Sequence, residues 1–177
     1  MQYSCAKDVA TMFSELISHK EYFKYSTIWT DEIKHPSGQI TGLTNTNKLV
    51  RFYKGCDSGK TGYTSEAGHC LCASAKRDNM RLITVVIGAP DSKRRFFEVS
   101  TLFDKAFGAF CSKKVLNKEV PLEITANVEG GKKNKVTVRQ KEDFYYFCLK
   151  NKNVDFDVDF SPNGKIFAPL NDGDCVG

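Results

Sequence analysis

The chain has 177 residues, of which 41% are hydrophobic and 27% are charged, and its formal net charge is +5 at pH 7. This apolar content is enough to bury a core in one domain or two small ones, and no apolar run approaches the roughly 18 residues that indicate a membrane-spanning helix. The positive charges are spread along the chain without the basic stripe and aromatic platform of a nucleic-acid-binding surface, so we do not expect that function.

The N-terminal part of the chain predicts helices followed by less regular structure. Residues 6–18 place their apolar side chains on one helical face, with Ser4 as the predicted N-cap. A second helical piece is predicted over residues 19–26, and a strand is expected to start at residues 28–30. The polar stretch 39–47, rich in Asn and Thr, predicts an irregular segment.

The most informative stretch is Lys60-Thr61-Gly62, which is followed by Tyr63-Thr64. At the lip of an antiparallel sheet, such a run presents an ammonium group, a hydroxyl group and an approachable backbone edge. These groups suit a substrate carboxylate and an extended peptide backbone. The triplet alone is common, so its context decides how it is interpreted.

That context predicts a sheet covered by a helix. Residues 69–77 and 80–89 predict two strands that meet at a turn at residues 78–79. The second is almost continuously apolar, which predicts a central strand covered on both faces. Residues 90–92 are expected to end it and to cap a helix over residues 93–110, whose phenylalanine stripe predicts packing on the sheet.

After Cys111 the chain alternates polar and apolar residues in short runs, which predicts a small all-β domain. The predicted strand segments are 120–128, 136–139, 144–149 and 154–160. The basic cluster 132–135 is expected at a hairpin tip, as a solvated turn or, alternatively, as a contact to an anionic wall polymer or lipid.

The cysteines do not form the pattern of a small disulfide framework, and their number is odd, so at least one is unpaired within the chain. The seven are Cys5, Cys56, Cys70, Cys72, Cys111, Cys148 and Cys175. The run from His69 to Cys72 raises the alternative of a metal site. Alternation along a strand explains it better, because no second ligand pair with zinc-type spacing is present. We therefore expect no metal and no cofactor.

The sequence around the motif resembles the D-alanyl-D-alanine carboxypeptidases, the low-molecular-mass penicillin-binding proteins. The resemblance runs in order through roughly residues 1–110. It is carried by the segments 42–49, 60–68, 73–77, 80–83 and 85–90.

The resemblance implies an α+β fold in which a partial penicillin-binding or β-lactamase-like transpeptidase domain, an antiparallel sheet with helices, precedes a partial small all-β domain. It implies that residues 1–111 are the C-terminal part of the catalytic domain. Residues 112–177 are then the N-terminal part of a β-sandwich-like C-terminal domain.

The resemblance also implies roles for the motif. Lys60 and Thr61 would bind the terminal carboxylate of the substrate, and Gly62 would let the substrate approach the strand. A backbone N–H near Tyr63 or Thr64 would contribute to the oxyanion site.

In the family, a serine attacks the peptide bond between two D-alanines and water hydrolyses the acyl-enzyme, which β-lactams trap. The implied partners are therefore a peptidoglycan stem peptide ending in D-Ala-D-Ala and, for the parent enzyme, β-lactams. The implied location of the parent is the extracellular face of the bacterial cytoplasmic membrane, although this chain has no signal-peptide pattern or anchor.

One departure from the family pattern lies just before the motif. A bulkier apolar residue usually precedes the lysine, whereas this chain has Gly59 before Lys60. Glycine inside a strand weakens it, so we expect a looser strand here.

The family's nucleophile, in a Ser-x-x-Lys motif, and its Ser-x-Asn motif lie upstream of the Lys-Thr-Gly. Ser4 and Lys7 fit the first pattern and would place a serine and its base one helical turn apart. However, Ser4 precedes the Lys-Thr-Gly by far fewer residues than the family's nucleophile does, and no Ser-x-Asn lies between them. We therefore interpret Ser4 and Lys7 as a chance match.

The leading hypothesis is thus a carboxypeptidase fragment that lacks its nucleophile and is inactive alone. One alternative is a short, non-catalytic module that binds cell-wall peptides or a partner. Another is an enzyme whose nucleophile comes from a different polypeptide or from Ser4. Because a missing helical lobe would leave apolar surface exposed, self-association of the fragment is also expected.

Overall fold

A computed structural model of the protein describes residues 3–177, which form two compact units that divide after Phe110. The fold is α+β with antiparallel sheets, as predicted. In residues 3–177 no helix combines the length and the apolar character needed to cross a bilayer. In the first unit the elements are α1 (Ala6–Leu16), α2 (Lys20–Ser26), β1 (Thr30–Lys34), β2 (Ile40–Thr44), α3 (Leu49–Phe52), β3 (Cys56–Thr64), β4 (Gly68–Arg77), β5 (Met80–Ala89) and α4 (Ser92–Ala109).

Helix α1 is capped one residue later than predicted. Its N-cap is Cys5 and not Ser4, because the backbone N–H of Cys5 donates to the carboxylate of Asp8, 3.3 Å away in the first helical turn. The helix packs against β5 and buries Phe13. The apolar face predicted for α1 therefore contributes Phe13 to the packing of the first unit.

The prediction of an irregular segment over residues 39–47 is wrong for its first half. Residues 40–44 form β2, which pairs antiparallel with β1, and the backbone N–H of His35 donates to the carbonyl of Gln39 at the turn. All ten residues of this hairpin are exposed. The sequence of β2 shows no apolar alternation, because neither face of the strand is buried. Hydrogen bonds to β1 stabilise it instead.

The site-bearing sheet has the order β3-β4-β5, with antiparallel pairing throughout. The predicted turn is confirmed: Arg77 pairs with Met80, and Asp78 adopts a left-handed backbone with a φ of 52°. The prediction that residues 80–89 form the central strand is wrong, because β4 is central and β5 lies at the end of the described sheet. Ile87 of β5 is accordingly 43% exposed.

Helix α4 supplies the other half of the core, as its phenylalanine stripe predicts. Its N-cap is Asp91, whose Oδ1 accepts a hydrogen bond of 2.8 Å from the backbone N–H of Arg94. The core of the first unit combines this helix with α3 and the sheet. Its buried members are Leu49, Cys56, Leu71, Ala73, Ala75, Met80, Val86, Ala89, Val99, Phe103 and Phe107.

The second unit is built from short pairs of strands. Strand β6 (Phe110–Leu116) pairs with β9 (Phe144–Leu149), and β7 (Thr125–Asn127) pairs with β8 (Lys135–Thr137). The hairpin between β7 and β8 contains the basic cluster at its tip, as predicted. The predicted strand over residues 154–160 is absent, because no neighbour supplies the ladder of hydrogen bonds that a strand requires.

Candidate functional site

The Lys-Thr-Gly motif lies on β3, the strand that ends the sheet on the side away from β5. Its inner edge pairs with β4 in a register that runs from Lys60 opposite Cys72 to Thr64 opposite Gly68. Its outer edge has no partner strand among the residues that the structure describes. An extended peptide can therefore add to the sheet along the motif.

The first two motif residues hold their polar groups near this edge. Lys60 is exposed, and its Nζ donates to the carbonyl oxygen of Thr61 at 2.6 Å. Thr61 is buried, and its Oγ1 donates to Oγ1 of Thr46 at 2.9 Å. Consecutive residues of β3 thus supply a cation and an oriented hydroxyl.

Gly62 is exposed and is not required by internal packing. A Cβ at this position would meet no atom closer than the Cβ of Cys70, at 3.9 Å. Its lack of a side chain leaves the outside of β3 open to a ligand backbone.

The remaining two motif residues have different environments. Tyr63 is 64% exposed, and its ring lies 4.5 Å from the ring of His69, whose Nδ1 is buried without a hydrogen-bond partner. Thr64 has a local role, because its Oγ1 accepts a hydrogen bond of 3.0 Å from the backbone N–H of Ala67 in the turn to β4.

Gly59 does not loosen the strand, contrary to the prediction from sequence. The side chain of Asn47 is buried beside it, donating from Nδ2 to the carbonyl of Ser58 at 3.3 Å. A Cβ on Gly59 would lie 2.5 Å from Nδ2 of Asn47 and 2.7 Å from the carbonyl oxygen of Cys72. Gly59 is therefore the point where β3 packs closely on its neighbours.

Arg95 is a site residue that the sequence reasoning missed. It is only 9% exposed, and its Nη1 donates to the carbonyl oxygen of Gly62 at 3.1 Å and to that of Cys70 at 3.4 Å. Its Nε is buried without a partner, and in the described residues no carboxylate forms an ion pair with it. Its other partners are neutral as well: Nη2 donates to Ser92 Oγ at 3.4 Å, and the guanidinium lies 5.0 Å from the centre of the Phe96 ring. An anionic ligand would therefore be the first group to balance this charge.

The sequence contains a signal for Arg95 that becomes clear in retrospect. The buried residues of α4 recur every four positions, at Arg95, Val99, Phe103 and Phe107. A charged residue in an otherwise apolar helical series marks a buried functional or structural cation.

A polar network on β3 holds the start of the motif strand. Arg81 donates to both carboxylate oxygens of Asp57 at 2.9 and 2.8 Å, and its guanidinium lies over the ring of Phe23 at 4.6 Å. Ser74 Oγ donates to Asp57 at 2.8 Å and lies 2.7 Å from Ser58 Oγ. This network ties β3 to β4, β5 and α2 just before the motif.

Ser4 and Lys7 lie at the start of α1, which packs against β5 at the other end of the sheet from β3. Both are exposed, and the hydroxyl of Ser4 contacts the carbonyl of Cys5 at 3.5 Å. Within residues 3–177 no hydrogen bond or ion pair joins Ser4 to Lys7 or either of them to Lys60.

The thiols of Cys56 and Cys72 are held protonated at neutral pH. Burial raises the pKa of Cys56 to about 11 and that of Cys72 to about 12. The part of the chain that the structure describes has no group of three or more His, Cys, Asp or Glu residues placed to hold a metal ion.

An antiparallel sheet that ends in a Lys-Thr-Gly strand and is backed by a phenylalanine-rich helix defines a domain of the penicillin-binding, transpeptidase-like class. Solved structures agree with this assignment. Penicillin binding protein 5 from Haemophilus influenzae matches 99% of this chain and 51% of its own, with a TM-score of 0.64 and 30% identity. A peptidoglycan synthesis regulatory factor (PBP3) from Streptococcus pneumoniae matches 93% of this chain and 46% of its own, with a TM-score of 0.75 and 25% identity.

Sequence comparison gives the family. The profile described as D-alanyl-D-alanine carboxypeptidase matches residues 1–91, and the profile described as penicillin-binding protein 5, C-terminal domain, matches residues 110–177. The D-alanyl-D-alanine carboxypeptidase DacF of Bacillus subtilis (strain 168) is 34% identical over 176 residues, which are 99% of this chain and 45% of that protein. The chain belongs to the D-alanyl-D-alanine carboxypeptidase family, and it spans about half the length of the curated relatives it matches.

Proposed function

We propose that this chain forms the substrate-binding edge of a serine-type D-Ala-D-Ala carboxypeptidase, which trims peptidoglycan stem peptides through an acyl-enzyme. We propose further that the nucleophile is not in this chain, so the chain alone is inactive. The observation that supports this function best is the open edge of β3 at Lys60-Thr61-Gly62. Behind it lies the guanidinium of Arg95, which has no ion-pair partner in the described residues.

The terminal carboxylate of the stem peptide would bind to the cationic groups at this edge. Lys60 Nζ now donates to a neutral acceptor, the carbonyl of Thr61. A carboxylate is a stronger acceptor, because hydrogen bonds between charged partners are shorter and roughly twice as strong as neutral ones. Arg95 adds a second positive charge, and its Nε would not have to break an existing hydrogen bond in order to bind the carboxylate.

The backbone of the peptide would add to β3 as a further strand. Gly62 leaves this approach open, and the backbone N–H groups near Tyr63 and Thr64 would face the carbonyl under attack. The network of Asp57 and Arg81 would keep β3 in place while the ligand binds.

The assignment of segments follows from the same proposal. Residues 1–111 would be the C-terminal part of the catalytic domain, and residues 112–177 the N-terminal part of a β-sandwich-like domain. The serine would come from another part of the parent protein, and Ser4 and Lys7 would take no part in catalysis. The parent would act on the outer face of the bacterial cytoplasmic membrane, where it would meet β-lactams.

The placement of the nucleophile is tested by incubating the 177-residue chain with excess benzylpenicillin and measuring its intact mass. We expect no covalent adduct, because acylation requires an activated serine beside the motif. A stoichiometric adduct that peptide mapping assigns to Ser4 would make this chain an enzyme in its own right and would overturn this part of the proposal.

The binding edge is tested by NMR titration with N-acetyl-D-Ala-D-Ala and with the same dipeptide amidated at its C-terminus. We expect the acid to shift the amide signals of β3 and the amidated peptide to bind more weakly. Lys60→Ala and Arg95→Met should each weaken binding of the acid by about 10- to 100-fold, since a hydrogen bond to a charged group contributes about 1.5–3 kcal/mol.

The control for these variants is Lys105→Ala, which removes an exposed lysine of α4. It should leave binding unchanged. Equal binding of the acid and the amidated peptide would show that the edge does not recognise a carboxylate. Binding of the acid without a benzylpenicillin adduct is the result that a non-catalytic binding module would also give, so activity of the parent enzyme would then decide between the two.

A further inference from the structure

Two cysteines of the second unit face each other across neighbouring strands. Cys111 is on β6 and Cys148 is on β9, and their Sγ atoms are 3.9 Å apart. Both sulfurs are reduced in the structure. The two sulfurs are in van der Waals contact, and a disulfide would bring them to the bonded distance of about 2.05 Å.

The other cysteines lack such a neighbour within residues 3–177. Cys5 and Cys175 are exposed, whereas Cys56 and Cys72 are buried in the first unit. The thiol of Cys70 contacts the backbone carbonyls of the turn before β4 and no other sulfur.

We propose that Cys111 and Cys148 are a modification site, which forms an intramolecular disulfide when the chain meets a small disulfide oxidant of the glutathione type. The thiolate of Cys111 attacks one sulfur of the oxidant, which releases one small thiol and leaves a mixed disulfide on Cys111. The thiolate of Cys148 then attacks Sγ of Cys111 and releases the second small thiol. Two protein thiols thereby lose two electrons and two protons, and the oxidant becomes two thiols.

The environment of the pair assigns this order of attack. Cys111 is half-buried and accessible to the oxidant, whereas Cys148 is buried. Burial and the neighbouring thiol of Cys111 raise the pKa of Cys148, and the nearby ammonium groups of Lys113 and Lys152 act in the opposite direction. Cys111 is thus the entry thiol and Cys148 the resolving thiol.

The bond would matter because the second unit has little else to stabilise it. Its buried apolar residues are Ala126, Val128, Val138 and Cys148. A link between β6 and β9 closes a loop of roughly 36 residues, and loops of this size are restrained strongly by a disulfide in the unfolded state. Small units with small cores commonly depend on such a link.

The test is to incubate the full 177-residue chain with oxidised glutathione, to block the remaining thiols, and to digest it with trypsin without reductant. We expect a linked pair of the peptides 106–113 and 142–150, which separates on reduction. We also expect the oxidised chain to resist proteolysis in residues 111–177 longer than the reduced chain, with no change in residues 3–110.

Cys111→Ser and Cys148→Ala should each abolish the linked peptides and the added protease resistance. The matched control is Cys175→Ser, an exposed thiol of the same unit, which should change neither. Glutathione adducts on Cys111 without the linked pair would overturn the proposal, as would a link of Cys148 to Cys5 or Cys175. Retention of the protease resistance in the Cys111→Ser variant would also overturn it.

Discussion

The two units of this chain reach order by different means. Residues 3–110 place a three-stranded sheet against an 18-residue helix and bury large side chains such as Phe103. Residues 111–177 form strands of three to seven residues, and their buried apolar residues are few and mostly small. The first unit is therefore held by a continuous core, and the second by local strand pairs and polar contacts.

This difference explains where a precise binding edge is found. A ligand-binding strand needs neighbours that hold it in place, and β3 has them in Asn47, Arg81 and Arg95. The second unit has no comparable constellation in the part that the structure describes. The second unit is therefore the one whose stability a covalent link would increase more.

The largest expected effect comes from emptying the first core. Phe103→Ala should lower the free energy of unfolding of the first unit by about 3–5 kcal/mol, because it leaves a cavity between α4 and the sheet. Val138→Ala in the second unit should cost about 1.5 kcal/mol, since it removes two buried methyl groups. Urea unfolding followed by the fluorescence of Trp29, the single tryptophan, reports the first unit, and hydrogen exchange reports both.

Equal losses in the two variants would contradict the comparison, because they would mean that the second unit packs as tightly as the first. If Val138→Ala lowers the urea concentration at which the Trp29 fluorescence changes, the two units unfold together.

A smaller effect is expected at the close contact beside the motif. Gly59→Ala should destabilise the first unit by roughly 1–3 kcal/mol, because its Cβ would clash with Asn47 and the carbonyl of Cys72. It should also weaken binding of the peptide acid, since β3 must shift. Gly42→Ala is the matched control in a strand with open space around the new Cβ, and urea unfolding should show little change for it. If Gly59→Ala leaves the free energy of unfolding unchanged, the close packing at Gly59 is contradicted and the looser strand predicted from the sequence is supported.

The next effect concerns polar contacts. Arg81→Met leaves Asp57 partly buried without its bidentate partner and should cost about 1–2 kcal/mol, less than a fully buried pair because both side chains are more than one-fifth exposed. Arg94→Met breaks an exposed pair with Glu98 on α4 and should cost about 0.3–0.5 kcal/mol. Thermal unfolding of the two variants compares their losses of unfolding free energy. Similar losses would contradict the proposal that the Asp57–Arg81 network stabilises β3.

The smallest effect is a pH dependence in the second unit. The ammonium of Lys114 and then the backbone N–H of Lys118 lower the pKa of Asp143 below its usual value of 3.8. Because the folded-state pKa is depressed, the stabilisation is complete above the unfolded value and is lost as the pH falls through the folded value. The hydrogen-exchange protection factors of β6 and β9, which correct for the intrinsic exchange rate, should therefore fall on acidification below about pH 4.

Asp143→Asn should remove this acid dependence and leave the exchange of β4 unchanged. The exposed Asp155 provides the control, and Asp155→Asn should retain the full dependence. The assignment to Asp143 is contradicted if the two variants respond to acid in the same way.

Much of the fold could be predicted because its signals are local. The strands at residues 69–77 and 80–89, their turn and the helix that follows are predicted from apolar runs, turn chemistry and one apolar stripe, and each element is confirmed. The sequence around Lys60-Thr61-Gly62 likewise indicates the family, and the profile match over residues 1–91 confirms that family. The binding roles of the motif residues remain a proposal.

The sequence by itself determined the strands and the helix around the motif, since side-chain periodicity and turn residues act within a few positions of one another. Only the tertiary structure decided that β5 ends the sheet and that Gly59 receives Asn47. It alone placed Arg95 behind Gly62 and Cys111 against Cys148. These features depend on which strands become neighbours and in which register, and that choice is made by packing over the whole unit and not by any short stretch of sequence.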